Sequence, residues 1–491
     1  MYFNSFQYVL FLWTVYVLYW TLQNKRSWRH TMVLVASYWF YAQADWRFTF
    51  LLAISSVVDW FAGRGIQRAG ERQGPRRFWL GVSLVANLGM LGTFKYYDFF
   101  VDSFEALFAG LGTELQLQHL GAAQGGWLDY VVPAGISFYT FQTLSYTFDI
   151  YKRRLEPCRH FLDFATYVSF FPQLVAGPIV RARDFLPQLE SPAAFDSDRV
   201  ASGLFQILRG MTKKLLMADI LGVYLVDVAF AHDPARGLHA ADTIAQLGAP
   251  TLMVVMYGYA LQLYGDFAGY SDIAIGSARL LGFELRKNFD APYRSKSLEE
   301  FWSRWHISMS SWFMDYVYIG LGGSRVSLFK TVRNVLVAWT LVGLWHGAAW
   351  TFVLWGFYHG AWLGIVRLVR LKLPGGKVPG GPVASLLGVV FTFHVVLFSM
   401  ILFRCPDMET FWTACRELFD WGTPLRSFPP AMWTILALGY VTHLMPEAVT
   451  NGMERGFQRL PTALQGVVVA AAIAVFFLLA PPQAPFIYFN F

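Results

Sequence analysis

Apolar runs of membrane-crossing length recur along the chain, separated by short polar stretches rich in Lys and Arg. A helix rising 1.5 Å per residue needs about 20 apolar residues to cross a hydrocarbon core. That pattern predicts spanning helices over Phe6–Leu22 and over roughly 31–44, 47–62, 79–100, 130–150, 215–231 and 250–267. Late spans are predicted near 383–403, 431–446 and 463–480, for about eleven in all. The first lacks the positive region that precedes the apolar core of a cleaved signal peptide, so it reads as an uncleaved helix.

The basic residues assign sides. Lys25, Arg26 and Arg29 follow the first helix, and further basic loops fall at Arg64–Arg77, Lys152–Arg159, Arg181–Arg183, Arg209–Lys214, Arg286–Lys296, Arg325–Arg333, Arg367–Lys377 and Arg455–Arg459. Placing these in the cytoplasm gives a nearly self-consistent path with both termini outside. The segment 101–129 carries Asp102, Glu105 and Glu114 without Lys or Arg, as an external loop should.

Some stretches resist a simple path. Phe164–Pro178 is apolar, but Pro172, Gly177 and Pro178 interrupt it and basic charge flanks it on both sides. It reads as a re-entrant or interfacial helix, because broken backbone at membrane depth must be buried in protein. Segments 268–283 and 299–320 likewise return to a basic loop on the same side. No internal repeat or soluble domain is visible, so residues 1–491 are expected to form a single membrane domain.

Composition agrees. The 491 residues are 55% hydrophobic and only 14% charged, where soluble domains carry about 25% charged residues. With a mean hydropathy of +0.40, this is an all-α polytopic membrane protein. Its 19 Trp and 24 Tyr fit interfacial belts. The net charge of +7 gathers in short loops, so it reports orientation rather than a nucleic-acid partner. Cys158, Cys405 and Cys415 are too few and too scattered for a disulfide scaffold or a thiolate metal site.

Against this background a few polar residues stand out. His346 lies in WTLVGLWHGAAW (339–350), deep in apolar sequence. An imidazole titrates near neutrality, which suits proton transfer. An ionisable group at bilayer depth is a functional-site candidate by default. The bland alternative is a histidine bonded to a neighbouring helix carbonyl. In 299–320, one helix would place Glu299, Trp302, His306 and Ser310 on one face and Arg304, Ser308, Ser311 and Asp315 on another. Such a helix either lies at the membrane interface with tryptophan anchors or lines a polar funnel.

Taken alone, His306 reads as a hydrogen-bonded structural histidine. His359, in WGFYHGAW, has surroundings like those of His346, whereas His394 has no polar company and reads as structural. Asp266 and Asp272 sit among small residues and serve either helix packing or the lining of the same cavity. There is no G-x-S-x-G elbow, Walker-type loop or H-E-x-x-H pair. Spacing gives no support to a metal site built from His306, His346 and Asp315.

The combined motifs identify a resemblance. The runs YGDFAGYSDIAIGSARLLGFELRKNFDAPY, FWSRWHISMSSWFMDYVYIGLGGSR and GLWHGAAWTFVLWGFYHG resemble the membrane-bound O-acyltransferase family, in particular its bacterial branch that acetylates secreted polysaccharides. FPQLVAGPIVR, GTFKYYDFF at 92–100 and the terminal PFIYFNF support the match. The resemblance implies a helical shell around a central tunnel, with residues 264–360 as the catalytic core. It places the family's catalytic histidine, a general base, on His346 and its second polar position on His306.

Trp302, Trp305 and Trp345 are then expected to shape a channel for a pantetheine-like chain. Arg304, with Arg294 and Lys296, becomes a candidate for donor phosphates, and Ser310 and Asp315 join the substrate-binding set. No bound cofactor or metal is implied. The donor would be acetyl-CoA or another acyl thioester, and the partners a periplasmic acetyltransferase and polysaccharide machinery in the bacterial inner membrane. D-alanyl transfer to teichoic acid is the enzymatic alternative, although the LGGSR run favours acetyl transfer. A transporter would show paired broken helices in related halves, and no such repeat is visible.

Overall fold

The computed structural model describes residues 3–120, 132–175, 177–233, 237–373, 381–481 and 486. Among them every regular element is a helix, and the β geometry is confined to an isolated bridge between Asp233 and Leu238. Five helices are long and apolar enough to cross a membrane: Phe48–Arg68, Gln73–Gly110, Trp350–Lys372, Pro382–Arg404 and Thr462–Leu479. The all-α, multi-pass expectation therefore holds. Other predicted spans also form helices, among them Phe6–Thr21, Arg26–Ala42, Ile136–Tyr151 and Pro430–Leu444. The terminal PFIYFNF run, apart from Phe486, and parts of the 101–129 and 367–377 loops lie outside the described residues.

The contacts divide the chain into two compact units, one of Phe3–Asp196 with Ser277–Leu285 and the other of Ser197–Gly276 with Arg286–Phe491. The first is held by polar bonds between apolar helices. Ser55 Oγ donates to Asn87 Oδ1 at 2.7 Å, and Asn87 Nδ2 donates to Asp59 Oδ2 at 2.7 Å. The Ser83 and Thr147 hydroxyls meet at 3.0 Å. Interhelical hydrogen bonds of this kind contribute about 0.6–2 kcal/mol each where no water competes. Gly63 and Gly65 bring Phe48–Arg68 close to its neighbours, since a Cβ on the latter would overlap the Trp79 indole.

The interrupted Phe164–Pro178 stretch behaves as its prolines predict. It forms the short helices Phe161–Ser169 and Phe171–Leu174, broken at Phe170. Buried side chains tie it down: Gln173 Nε2 donates to the Tyr167 carbonyl, and the Tyr167 hydroxyl bonds to the carbonyls of Gln142 and Val180 outside the stretch.

The expected separation of 250–267 from 268–283 is wrong. Gly248–Leu280 is one helix of 33 residues. The small residues of this stretch are contact points. A Cβ on Gly269 would lie 2.8 Å from the Gly210 carbonyl oxygen, and one on Gly276 would lie 2.6 Å from that of Gly203. Both contacts are with the helix Ser197–Met211, packed at backbone distance.

The single helix expected over 299–320 is also wrong. Ser297 accepts from the Glu300 N–H and starts a helix over Leu298–Arg304. Trp305 then turns extended, and His306 adopts left-handed geometry at φ 44° and ψ 54°. A second helix runs over Ile307–Phe313, and Met314–Tyr318 is wound as a π-helix. The faces inferred from a continuous helix therefore do not carry across Trp305–His306.

Candidate active site

Two antiparallel helices, Leu328–His346 and Trp350–Lys372, build the frame. Glycines let them touch backbone to backbone. A Cβ on Gly343 would overlap the Phe352 carbonyl oxygen, and one on Gly356 would overlap that of Trp339. His346 closes the first helix because Gly347 turns extended, at φ −155° and ψ 149°. A side chain at Gly347 would strike the Phe352 ring. These contacts fix the histidine against the second helix, with its ring centroid 5.1 Å from that of Trp355 in perpendicular geometry.

His346 is 3% exposed and lines a narrow cavity in the second unit. Trp302, Trp305, Trp355 and His359 share that wall, with Ser399 and apolar side chains from the helix Pro382–Arg404 closing it. Among its described lining residues, the two imidazoles are the only ionisable side chains. The site has the chemistry of a mostly apolar pocket with a few convergent polar groups.

His306 lies behind this wall rather than in it. It is fully buried, its ring centroid is 6.5 Å from that of His346, and its ring packs edge-on against Phe267 at 4.5 Å. Its Nδ1 is 3.3 Å from Asn288 Oδ1. The same oxygen accepts from Ser308 N at 3.1 Å and Ser308 Oγ at 2.9 Å, and the Asn288 carbonyl accepts from Ile307 N at 2.9 Å. Asn288 Nδ2 donates in turn to Ser271 Oγ at 3.2 Å. A non-glycine residue in left-handed conformation costs about 1 kcal/mol, and this asparagine holds it there. Sequence reasoning missed Asn288, which reads as an ordinary loop residue in KNFDAPY.

Of the other expected site residues, Trp302 and Trp305 face the cavity, whereas Arg304, Ser310, Asp315 and Trp345 are not among its described lining. Trp345 is buried with its ring 5.8 Å from His306. Arg304 pairs with Glu300 at 2.9 Å and with Asp290 at 3.6 Å, and the Ser310 hydroxyl donates to the Trp305 carbonyl at 3.3 Å. Arg294 and Lys296 are exposed.

Asp266 and Asp272 take the packing role rather than lining the cavity. Asp272 pairs with Arg209 and Lys213 at 2.7 Å each, and Asp266 meets the buried Lys214 at 2.6 Å. His394 does have polar company: its Nε2 and the Tyr257 hydroxyl are 2.8 Å apart, a partner from another helix that the span itself could not reveal. In the first unit, Asp102, Glu105 and His119 bring potential ligand atoms within 4.8 Å of one another on partly exposed side chains.

Residues 1–403 match the sequence model of the membrane-bound O-acyltransferase family. A probable alginate O-acetylase of Azotobacter vinelandii is 38% identical over 403 residues, which is 81% of this chain and 74% of that protein. A protein of the same description from Pseudomonas aeruginosa is 37% identical over 427 residues, 86% of this chain and 76% of the other. A peptidoglycan O-acetyltransferase of Helicobacter pylori is 31% identical over 411 residues, covering 77% and 71%.

Proposed function

Since the chain belongs to the membrane-bound O-acyltransferase family and is a membrane O-acyltransferase, we propose that it moves acetyl groups from a cytoplasmic thioester, acetyl-CoA, across the bacterial inner membrane. The acetyl group ends on a secreted polysaccharide of the alginate kind, handed on through a periplasmic acetyltransferase and the polysaccharide machinery. Both chain termini face the periplasm in this reading. Support comes from the relatives' descriptions and from one observation above all: an imidazole held at a helix end on the wall of an aromatic cavity.

The chemistry follows from that placement. A hydroxyl near pKa 15 is a poor nucleophile, and a positioned base contributes about 10²–10⁴-fold. A ring nitrogen of His346 takes the hydroxyl proton as the oxygen attacks the thioester carbonyl. The C–S bond then breaks, and the imidazolium returns its proton to the leaving thiolate. His306, one ring behind, orients the reacting groups, and Trp302 and Trp305 shape the channel for the donor arm.

A deletion strain tests the product. Loss of O-acetyl esters from the extracellular polysaccharide, with teichoic-acid D-alanine unchanged, is expected. The reverse pattern would favour D-alanyl transfer. Consumption of acetyl thioester by the purified protein separates both from a transporter, which leaves the thioester intact.

A further inference from the structure

This inference rests on the acyl-thioester reading and names the part of the donor that the cavity grips. Two polar groups on the cavity wall are left unused by the base mechanism. His359 is 1% exposed, and its Nε2 lies 3.0 Å from Ser399 Oγ. The Ser399 hydroxyl has one hydrogen, and it goes to the Val396 carbonyl oxygen at 2.6 Å. Only lone pairs remain for the imidazole, so Nε2 carries the N–H and donates. A neutral imidazole protonated there presents a bare acceptor at Nδ1. That Nδ1 is buried without a hydrogen-bond partner among the described residues.

Beside it stands Trp302, whose Nε1 is likewise buried without a partner among the described residues. The two rings lie 4.9 Å apart at 88°. An indole N–H only donates, and the Nδ1 of this tautomer only accepts. Buried polar groups are nearly always paired, and each exception calls for an explanation. Here two neighbouring rings, one with an unpaired donor and one with an unpaired acceptor, belong to a wall that is otherwise largely apolar.

We propose that Trp302 and His359 form a docking subsite for a secondary amide in the arm of the acyl-thioester donor. The indole N–H donates to the amide carbonyl, and Nδ1 accepts from the amide N–H. A secondary amide has one donor and one main acceptor, so it satisfies both groups and leaves none of its own buried and unpaired. A sugar ring carries several hydroxyls, most of which this wall would leave without partners.

The test compares two acetyl donors with the full-length protein in lipid nanodiscs: S-acetyl-N-acetylcysteamine, which has one secondary amide, and S-ethyl thioacetate, which has none. Wild type is expected to favour the amide-bearing donor in kcat/KM by roughly tenfold or more, the worth of one well-made buried hydrogen-bond pair. In His359→Phe that preference should fall towards unity, through KM for the amide donor. Trp302→Phe, which removes the indole N–H together with ring volume, should lower the ratio of kcat/KM between the two donors in the same direction. Ser399→Ala, which releases the tautomer, should weaken the preference several-fold, and it keeps the test open if His359→Phe does not fold.

Variants that slow both donors equally, with the wild-type ratio preserved, would show that His359 and Trp302 are structural and overturn the subsite while leaving acyl transfer standing. A wild-type protein that consumes neither donor nor acetyl-CoA overturns the acyl-transfer reading and the subsite with it.

Discussion

Gly343 and Gly356 face each other so closely that a Cβ built on either would come within 2.9 Å of the other's Cα. The obstruction is backbone, which cannot swing aside as a long side chain can. Gly343→Ala should therefore push the two helices apart and destabilise the protein by about 1–3 kcal/mol, the usual range for overpacking. The same shift moves Trp355 and His359 relative to His346, so activity should fall as well. Gly89 is the control: it lies within the helix Gln73–Leu91, and a Cβ there meets nothing within 4 Å. Thermal unfolding in detergent checks the pair, and equal melting temperatures for Gly343→Ala and Gly89→Ala would refute the close-packing argument.

Asn288 holds the chain break that positions His306. Asn288→Ala removes the acceptor shared by His306 Nδ1, Ser308 N and Ser308 Oγ. With buried donors stranded at about 1–3 kcal/mol, a destabilisation near 2–3 kcal/mol is expected, together with a drop in kcat of tenfold or more. Ser271→Ala removes only the partner of Asn288 Nδ2 and should cost about 1 kcal/mol. Similar losses from the two variants would mean that the break is held by something else.

Lys214 sits between Asp219 and Asp266, 2.6 Å from each, with 1% of its side chain exposed. Lys214→Met leaves two buried carboxyl groups facing each other without their cation. Breaking a buried ion pair in this way typically costs about 3–5 kcal/mol. The expected readout is loss of folded protein from detergent extracts, partly restored by Lys214→Arg. Full yield of Lys214→Met would show that the triad contributes little to stability.

The sequence revealed the spans because apolar length is a local property, legible without knowing what each helix touches. His346 was legible for the same reason: a histidine inside WTLVGLWHGAAW needs no partner to be conspicuous. What escaped depended on distant residues. The break at Trp305–His306 has no proline or glycine to announce it, and it exists because Asn288, eighteen positions before His306, holds a left-handed histidine in place. Helix Gly248–Leu280 outruns the roughly 20 residues that a span needs, so span length alone divides it in two, although its 33 residues stay helical. Tyr257 is the partner of His394, 137 residues away, and Ser399 fixes the ring of His359 from 40 residues away. Hydropathy carries no signal for such pairings.

The central claim is that His346 is the base in acyl transfer. Acetyl transfer by the purified, full-length protein in nanodiscs, supplied with acetyl-CoA and its polysaccharide or periplasmic partner, tests it directly. His346→Ala should lower kcat by about 10²–10⁴-fold, with melting temperature and membrane level close to wild type. Retention of wild-type transfer by folded His346→Ala, or abolition by His359→Ala alone, would contradict the assignment.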